Sequence, residues 1–118
     1  MSPKARLLVV DDEPSIRNLF RRWLTRAGYE VVEASSGREA VATLLSRGGD
    51  VALVITDRKM PSGTGEELIR TIQATWPGLP IVCVTGFADD VVMNVPVVAK
   101  PVSGPALLEA VARALAVR

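Results

Sequence analysis

The sequence predicts an α/β protein with a doubly wound parallel sheet, on three observations. Short apolar runs alternate with segments of helical period along the chain. The runs around Leu7–Val10, Val51–Thr56 and Ile81–Val84 are almost continuously apolar, as expected of strands covered on both faces. Polar residues gather just after these runs, at Asp11, Asp12, Asp57 and Thr85, where open α/β sheets place their ligands.

Taken in order, Leu7–Val10 is the first strand. Ile16, Leu19, Phe20, Trp23, Leu24 and Ala27 then recur on one helical face, with Pro14 suited to the first turn and Gly28 to the stop. Tyr29–Ala34 reads as the second strand. A helix is expected over Gly37–Arg47, capped by Ser36, with Ala40, Val41, Leu44 and Leu45 inward and Gly48-Gly49 as its end. Val51–Thr56 is the third strand, and Gly63 and Gly65 fall in the loop beyond it. A third helix carries Leu68, Ile69, Ile72 and Trp76 on one face and closes at Pro77-Gly78. Ile81–Val84 is the fourth strand. The pattern then weakens: Ala88–Met93 has room for one or two helical turns. Val95–Ala99, interrupted by Pro96, is the fifth strand. A last helix over Pro105–Val117 has Ser103 as N-cap and Leu107, Leu108, Val111 and Leu115 inward. Right-handed βαβ crossovers then give a flavodoxin-like five-stranded parallel sheet of order 2-1-3-4-5, with the helix between its last two strands shortened or absent.

Length and composition fit one domain spanning residues 1–118, with no repeat or linker. Lys plus Arg number 14 and Asp plus Glu 13, a balance that disfavours nucleic acid as a direct partner. There is no histidine, which removes the commonest general base and transition-metal ligand. Cys83, the single cysteine, sits in an apolar run and reads as a core residue. No segment approaches the length of a membrane span, and the first apolar run meets Asp11 and Asp12 too soon for a secretion signal, so the expected location is the cytoplasm.

The predicted strand order brings Asp11, Asp12, Asp57, Thr85 and Lys100 to one rim of the sheet. Close carboxylates repel one another and call for a counter-charge. A hard divalent cation such as Mg²⁺, bound by few carboxylates plus water and phosphate oxygens, meets that need, and Lys100 adds a point charge suited to phosphate. Thr85 offers a donor to a phosphoryl oxygen, and Gly86 lets backbone N–H groups approach an anion. Asp57 stands where a carboxylate nucleophile would form an acyl phosphate. Plainer roles also fit each residue. Asp11, Asp12 and Glu13 precede a helix as caps would, Asp57 could close a turn, and Lys100 could be a solvated lysine. The coincidence at four strand ends favours the shared site.

These segments resemble the response-regulator receiver family of two-component systems. The resemblance rests on Leu7-Leu8-Val9-Val10-Asp11-Asp12-Glu13, on Asp57-x-x-Met60-Pro61-x-x-x-Gly65, on Val84-Thr85-Gly86 and on Lys100-Pro101. It implies that Asp57 is the phosphoacceptor, that Asp12 binds Mg²⁺ directly and Asp11 mainly through water, and that the Lys59 backbone carbonyl is a further ligand. It also implies that Thr85 and Lys100 contact the phosphoryl group and that the Lys100–Pro101 peptide is cis. The implied donor is a phosphohistidine on a sensor histidine kinase or histidine phosphotransfer domain.

Three features depart from the family pattern. Thr85 and Lys100 are too close for a full fourth helix, as in receivers attached to hybrid sensor kinases; the family's usual dimer surface involves that helix, so a monomer is expected. Val97 stands where the family carries an aromatic, so a threonine-to-aromatic relay cannot run in its usual form, and loop ordering around Gly86 and Phe87 is the expected substitute. Arg58 replaces a commonly apolar residue, and Lys59 is either a solvated loop lysine or a brake on phosphoryl hydrolysis. The Arg17, Arg21, Arg22, Arg26 series reads as the wet face of the first helix. The leading reading is a phosphorylatable switch acting on no external substrate. Two alternatives are a degenerate receiver used as a phosphorylation-independent interaction module, which the intact acceptor set disfavours, and a small aspartate-nucleophile phosphohydrolase, whose usual second aspartate is replaced by Lys59.

Overall fold

The computed structural model describes residues 4–47, 50–60, 63–86 and 93–116. The main elements are β1 (Arg6–Val10), α1 (Pro14–Arg26), β2 (Glu30–Ala34), α2 (Gly37–Arg47), β3 (Leu53–Asp57), α3 (Gly65–Thr75), β6 (Ile81–Thr85), β7 (Val97–Ala99) and α4 (Gly104–Ala116). Two short strands, β4 (Lys59–Met60) and β5 (Gly63–Thr64), pair antiparallel between β3 and α3.

The five long strands form one parallel sheet in the order β2-β1-β3-β6-β7, which is the predicted 2-1-3-4-5. Alternate residues of each central strand face opposite layers. Leu7, Val9, Leu53, Ile55, Val82 and Val84 pack with Phe20 and Leu24 of α1 and Leu107 and Val111 of α4. Leu8, Val10, Val54, Ile81 and Cys83 pack with Ala40 and Leu44 of α2 and Leu68, Ile69 and Ile72 of α3. This double burial explains the continuous apolar runs.

Helix ends follow local rules. After α1, Gly28 takes φ +99, its N–H bonds Thr25 O at 3.0 Å and the Tyr29 N–H bonds Leu24 O at 3.1 Å, a Schellman closure. Ser36 Oγ accepts from Glu39 N at 3.1 Å, and Ser103 Oγ from Ala106 N at 3.2 Å, so both expected N-caps are in place. Thr64 and Glu67 form a reciprocal capping box that starts α3.

Several expectations need correction. Leu45 is 68% exposed, because α2 turns only Ala40 and Leu44 fully into the core and leaves Val41 half-buried. The third strand begins at Leu53 and includes Asp57 as its last residue. Gly63 and Gly65 are not loop residues: Gly63 pairs in β5 and Gly65 opens α3. The fifth strand shrinks to Val97–Ala99, with Val95 and Pro96 outside it. Between β6 and β7 only residues 86–96 are available, and the described ones form no helix. Gly48-Gly49, Phe87 and most of Ala88–Met93 lie outside the described residues.

Candidate functional site

The parallel registers build the site. Val10 pairs with Thr56, so the chain beyond β1 leaves the sheet beside Asp57 at the end of β3. Asp57 pairs with Val84, and Thr85 with Ala99, which sets Thr85 one step away and Lys100 directly past β7. Two backbone bonds fasten this rim: Arg58 N–H donates to Val84 O at 2.9 Å, and Lys100 N–H to Thr85 O at 2.7 Å.

Asp11, Asp12 and Asp57 each bring a carboxylate oxygen within 4.8 Å of the others. Asp11, Asp57 and Thr85 are buried and Asp12 is half-buried. Lys100 Nζ donates to Asp57 Oδ2 at 3.1 Å, and its side chain remains 44% exposed. Burial pushes the Asp11 carboxyl above the ordinary carboxylate value; Asp57 and Asp12 push the same way, while the Glu13 backbone N–H and Lys100 oppose them. Asp11 Oδ1 accepts from Glu13 N at 2.9 Å, so its side chain shapes the turn before α1 and does not cap the helix; the Glu13 side chain makes no capping bond either. The plain reading of these residues as caps therefore explains little of their placement.

All the donors are oxygens, the geometry is a tight acidic rim with one lysine, and no histidine exists to soften it. That set fits a hard divalent cation. Lys59 lies in β4, two residues beyond Asp57; its register partner is Thr64 and its side chain is exposed. The Lys100–Pro101 peptide is cis, as the family resemblance implied.

Some functional packing escaped the sequence reading. Gly65 N–H donates to Arg58 O at 2.7 Å, and a Cβ on Gly65 would overlap the Asp57 carbonyl oxygen and stand 2.9 Å from Arg58 Cα. The start of α3 thus presses on the backbone of Asp57, and only glycine fits. The fixed spacing from Asp57 was the signal for it. Arg58, which stands where the family is commonly apolar, is held by a pairing of its Nε with Glu66 Oε1 at 3.1 Å. Arg17 is no wet-face residue: its side chain is 16% exposed and bonds Glu33 and the Asp11 carbonyl. Helical periodicity carries no sign of that. At Gly86 nothing among the described residues would crowd a Cβ, so packing does not demand glycine there.

Comparison with known proteins gives a consistent picture. The profile of the "Response regulator receiver domain" family matches residues 7–112. The sensor kinase CckA of Brucella abortus (strain 2308) is 38% identical over 101 residues, covering 85% of this chain and 11% of that protein. A CheY homolog, a chemotaxis protein of Campylobacter jejuni subsp. jejuni (serotype O:23/36, strain 81-176), is 41% identical over 83 residues, 68% of this chain and 63% of its own. The crystal structure of the receiver domain from the hybrid histidine kinase CckA superimposes with a TM-score of 0.83 at 31% identity, over 94% of this chain and 99% of that one. The chain thus spans only a small part of the sensor kinase it matches. From β1 into α4, sequence and fold agree, and the chain belongs to the response-regulator receiver domain family.

Proposed function

We propose that Asp57 accepts a phosphoryl group from a phosphohistidine on a sensor histidine kinase or histidine phosphotransfer domain. Mg²⁺ would be held by Asp11, Asp12, Asp57 and the Lys59 backbone carbonyl. The observation that carries this reading is the convergence of three carboxylates within 4.8 Å, with Lys100 Nζ already on Asp57 at 3.1 Å. The likeness to the receiver of a sensor kinase supports a histidine donor.

Phosphoryl transfer asks the protein for position and charge more than for covalent chemistry. A carboxylate oxygen of Asp57 attacks phosphorus in line. The new O–P bond forms as the P–N bond to the donor imidazole breaks, and the bonding pair stays on that nitrogen. Lys100 Nζ moves from Asp57 Oδ2 to an oxygen of the arriving phosphoryl group, and the Thr85 hydroxyl donates to another. Mg²⁺, when bound, supplies the remaining positive charge for the phosphoryl oxygens. The chain promotes only its own phosphorylation and dephosphorylation and acts on no external substrate.

Residues 1–118 act as one receiver domain, monomeric and cytoplasmic, with no direct nucleic-acid or membrane partner. The near-balanced net charge of +1 speaks against a direct nucleic-acid partner, and among the described residues no helix is long and apolar enough to cross a membrane. The test is incubation with Mg²⁺ and a small phosphodonor, read by intact mass. Wild type should gain one phosphoryl group, while Asp57→Asn, or wild type in excess chelator, should gain none. Equal labelling of Asp57→Asn would refute the assignment.

A further inference from the structure

We propose that Arg17 is a positioning residue for the metal ligands, acting through the backbone of Asp11. The proposal rests on the reading of the acidic rim as a Mg²⁺ site. β1 ends at Val10, so the backbone of Asp11 leaves the β1–β3 pairing while still buried, at 3% exposure. Its polar groups need partners. The N–H donates to Ala34 O at 3.1 Å. The carbonyl receives Arg17 Nη1 at 2.6 Å, a short charge-assisted bond.

The carbonyl of Asp11 and the nitrogen of Asp12 share one planar peptide unit. Holding that oxygen therefore sets the direction in which Asp12 leaves the sheet. Arg17 is itself held: its Nε donates to Glu33 Oε1 at 3.2 Å, and Glu33 Oε2 also takes Arg21 Nη1 at 3.3 Å. The guanidinium fork spans two partners, the end of β1 and the end of β2, which a single ammonium on a flexible stem reproduces poorly.

Apart from its pairing with Glu33, charge argues against an arginine here. Arg17 closes the first turn of α1, where the helix dipole disfavours a cation, and that turn contains no acidic residue. Its charge also opposes a divalent cation on the acidic rim. Two explanations therefore predict opposite signs. If Arg17 mattered only as a charge, its removal would tighten Mg²⁺ binding. If it positions the ligands, removal weakens binding.

The experiment is calorimetric titration of the full chain with Mg²⁺ alone. Arg17→Gln should bind about tenfold more weakly than wild type, the scale expected when support behind a ligand is lost. Arg17→Lys, which keeps the charge, should also bind more weakly than wild type. Arg21→Gln loses the same charge and a bond to Glu33 but leaves the Asp11 carbonyl held; it should match wild type or bind more tightly. In phosphorylation assays the Arg17→Gln defect should appear in the Mg²⁺ concentration needed for half-maximal rate and recede as Mg²⁺ is raised. Arg17→Gln binding as tightly as wild type, or more so, overturns the proposal, as does full recovery in Arg17→Lys. Should Arg17→Gln fail to fold, as read by circular dichroism, the Lys variant decides alone. A wild-type chain that binds no Mg²⁺ would instead remove the metal reading on which the proposal stands.

Discussion

The two halves of the rim are built differently. On the β1–β3 side the backbone beside Asp11 and Asp57 is tied down. Asp11 is held at both ends by Ala34 and Arg17, and Asp57 is pressed from behind by Gly65. The β4–β5 ladder, the Arg58–Glu66 pair and the Thr64–Glu67 capping box brace the loop between them. On the β6–β7 side the last strand has three residues, and the chain enters it through Met93 and Asn94 at φ 47 and 62, a conformation that asparagine tolerates and methionine does not favour. Beside it, Val97, Val98, Ala106 and Ala110 line an open groove of about 850 Å³. The like charges are thus gathered where backbone contacts are dense, whereas the last strand is short and borders open space.

The largest expected effect lies at Gly65, on the side where backbone contacts are dense. Gly65→Ala drives a methyl into the Asp57 carbonyl and should cost about 3 kcal/mol, at the upper end of overpacking penalties, measured by urea unfolding. Lys100→Met should cost less, on the order of 1 kcal/mol, because Lys100 is half-exposed and its pairing is screened. It should nonetheless slow phosphorylation by about a hundredfold, the scale for losing one charged donor at the reacting group.

Asp11→Asn should move stability the other way. The fold raises the Asp11 pKa above 3.8, so the native state binds that proton more tightly than the unfolded chain. Stability therefore falls as pH rises from 3.8 through the raised value, and the penalty is complete only above it. Without metal, the variant should be more stable than wild type once pH exceeds the raised value. Denaturation across pH should show the gain vanishing below 3.8, and Mg²⁺ should favour wild type. The smallest effect belongs to Val97→Ala beside the groove. Half-buried, Val97 should cost under about 1 kcal/mol, and phosphorylation of Asp57 should stay within about twofold of wild type. A large loss there would mean that the two halves are coupled as tightly as the pinned half is within itself.

Sheet order, both serine caps and the Gly28 stop were legible because each depends on local pattern or on a burial period. So were Asp11, Asp12, Asp57, Thr85 and Lys100 as one constellation, since a strand's end is also the end of its apolar run. Leu45 misled because four apolar residues at helical spacing fit a face wider than the core α2 meets. Gly65 was visible as a spacing but not as a contact.

Which residues reach the rim follows from hydrophobic pattern alone, because strand ends, crossovers and the two-residue alternation are local matters. How that rim is held depends on packing between elements distant in sequence. Arg17 meets the Asp11 carbonyl and Glu33, and Gly65 meets Asp57, through contacts set by how α1 and α3 sit on the sheet. Helical periodicity tells inside from outside. It does not say which backbone oxygen an arginine will find, since that depends on the separation of elements distant in sequence.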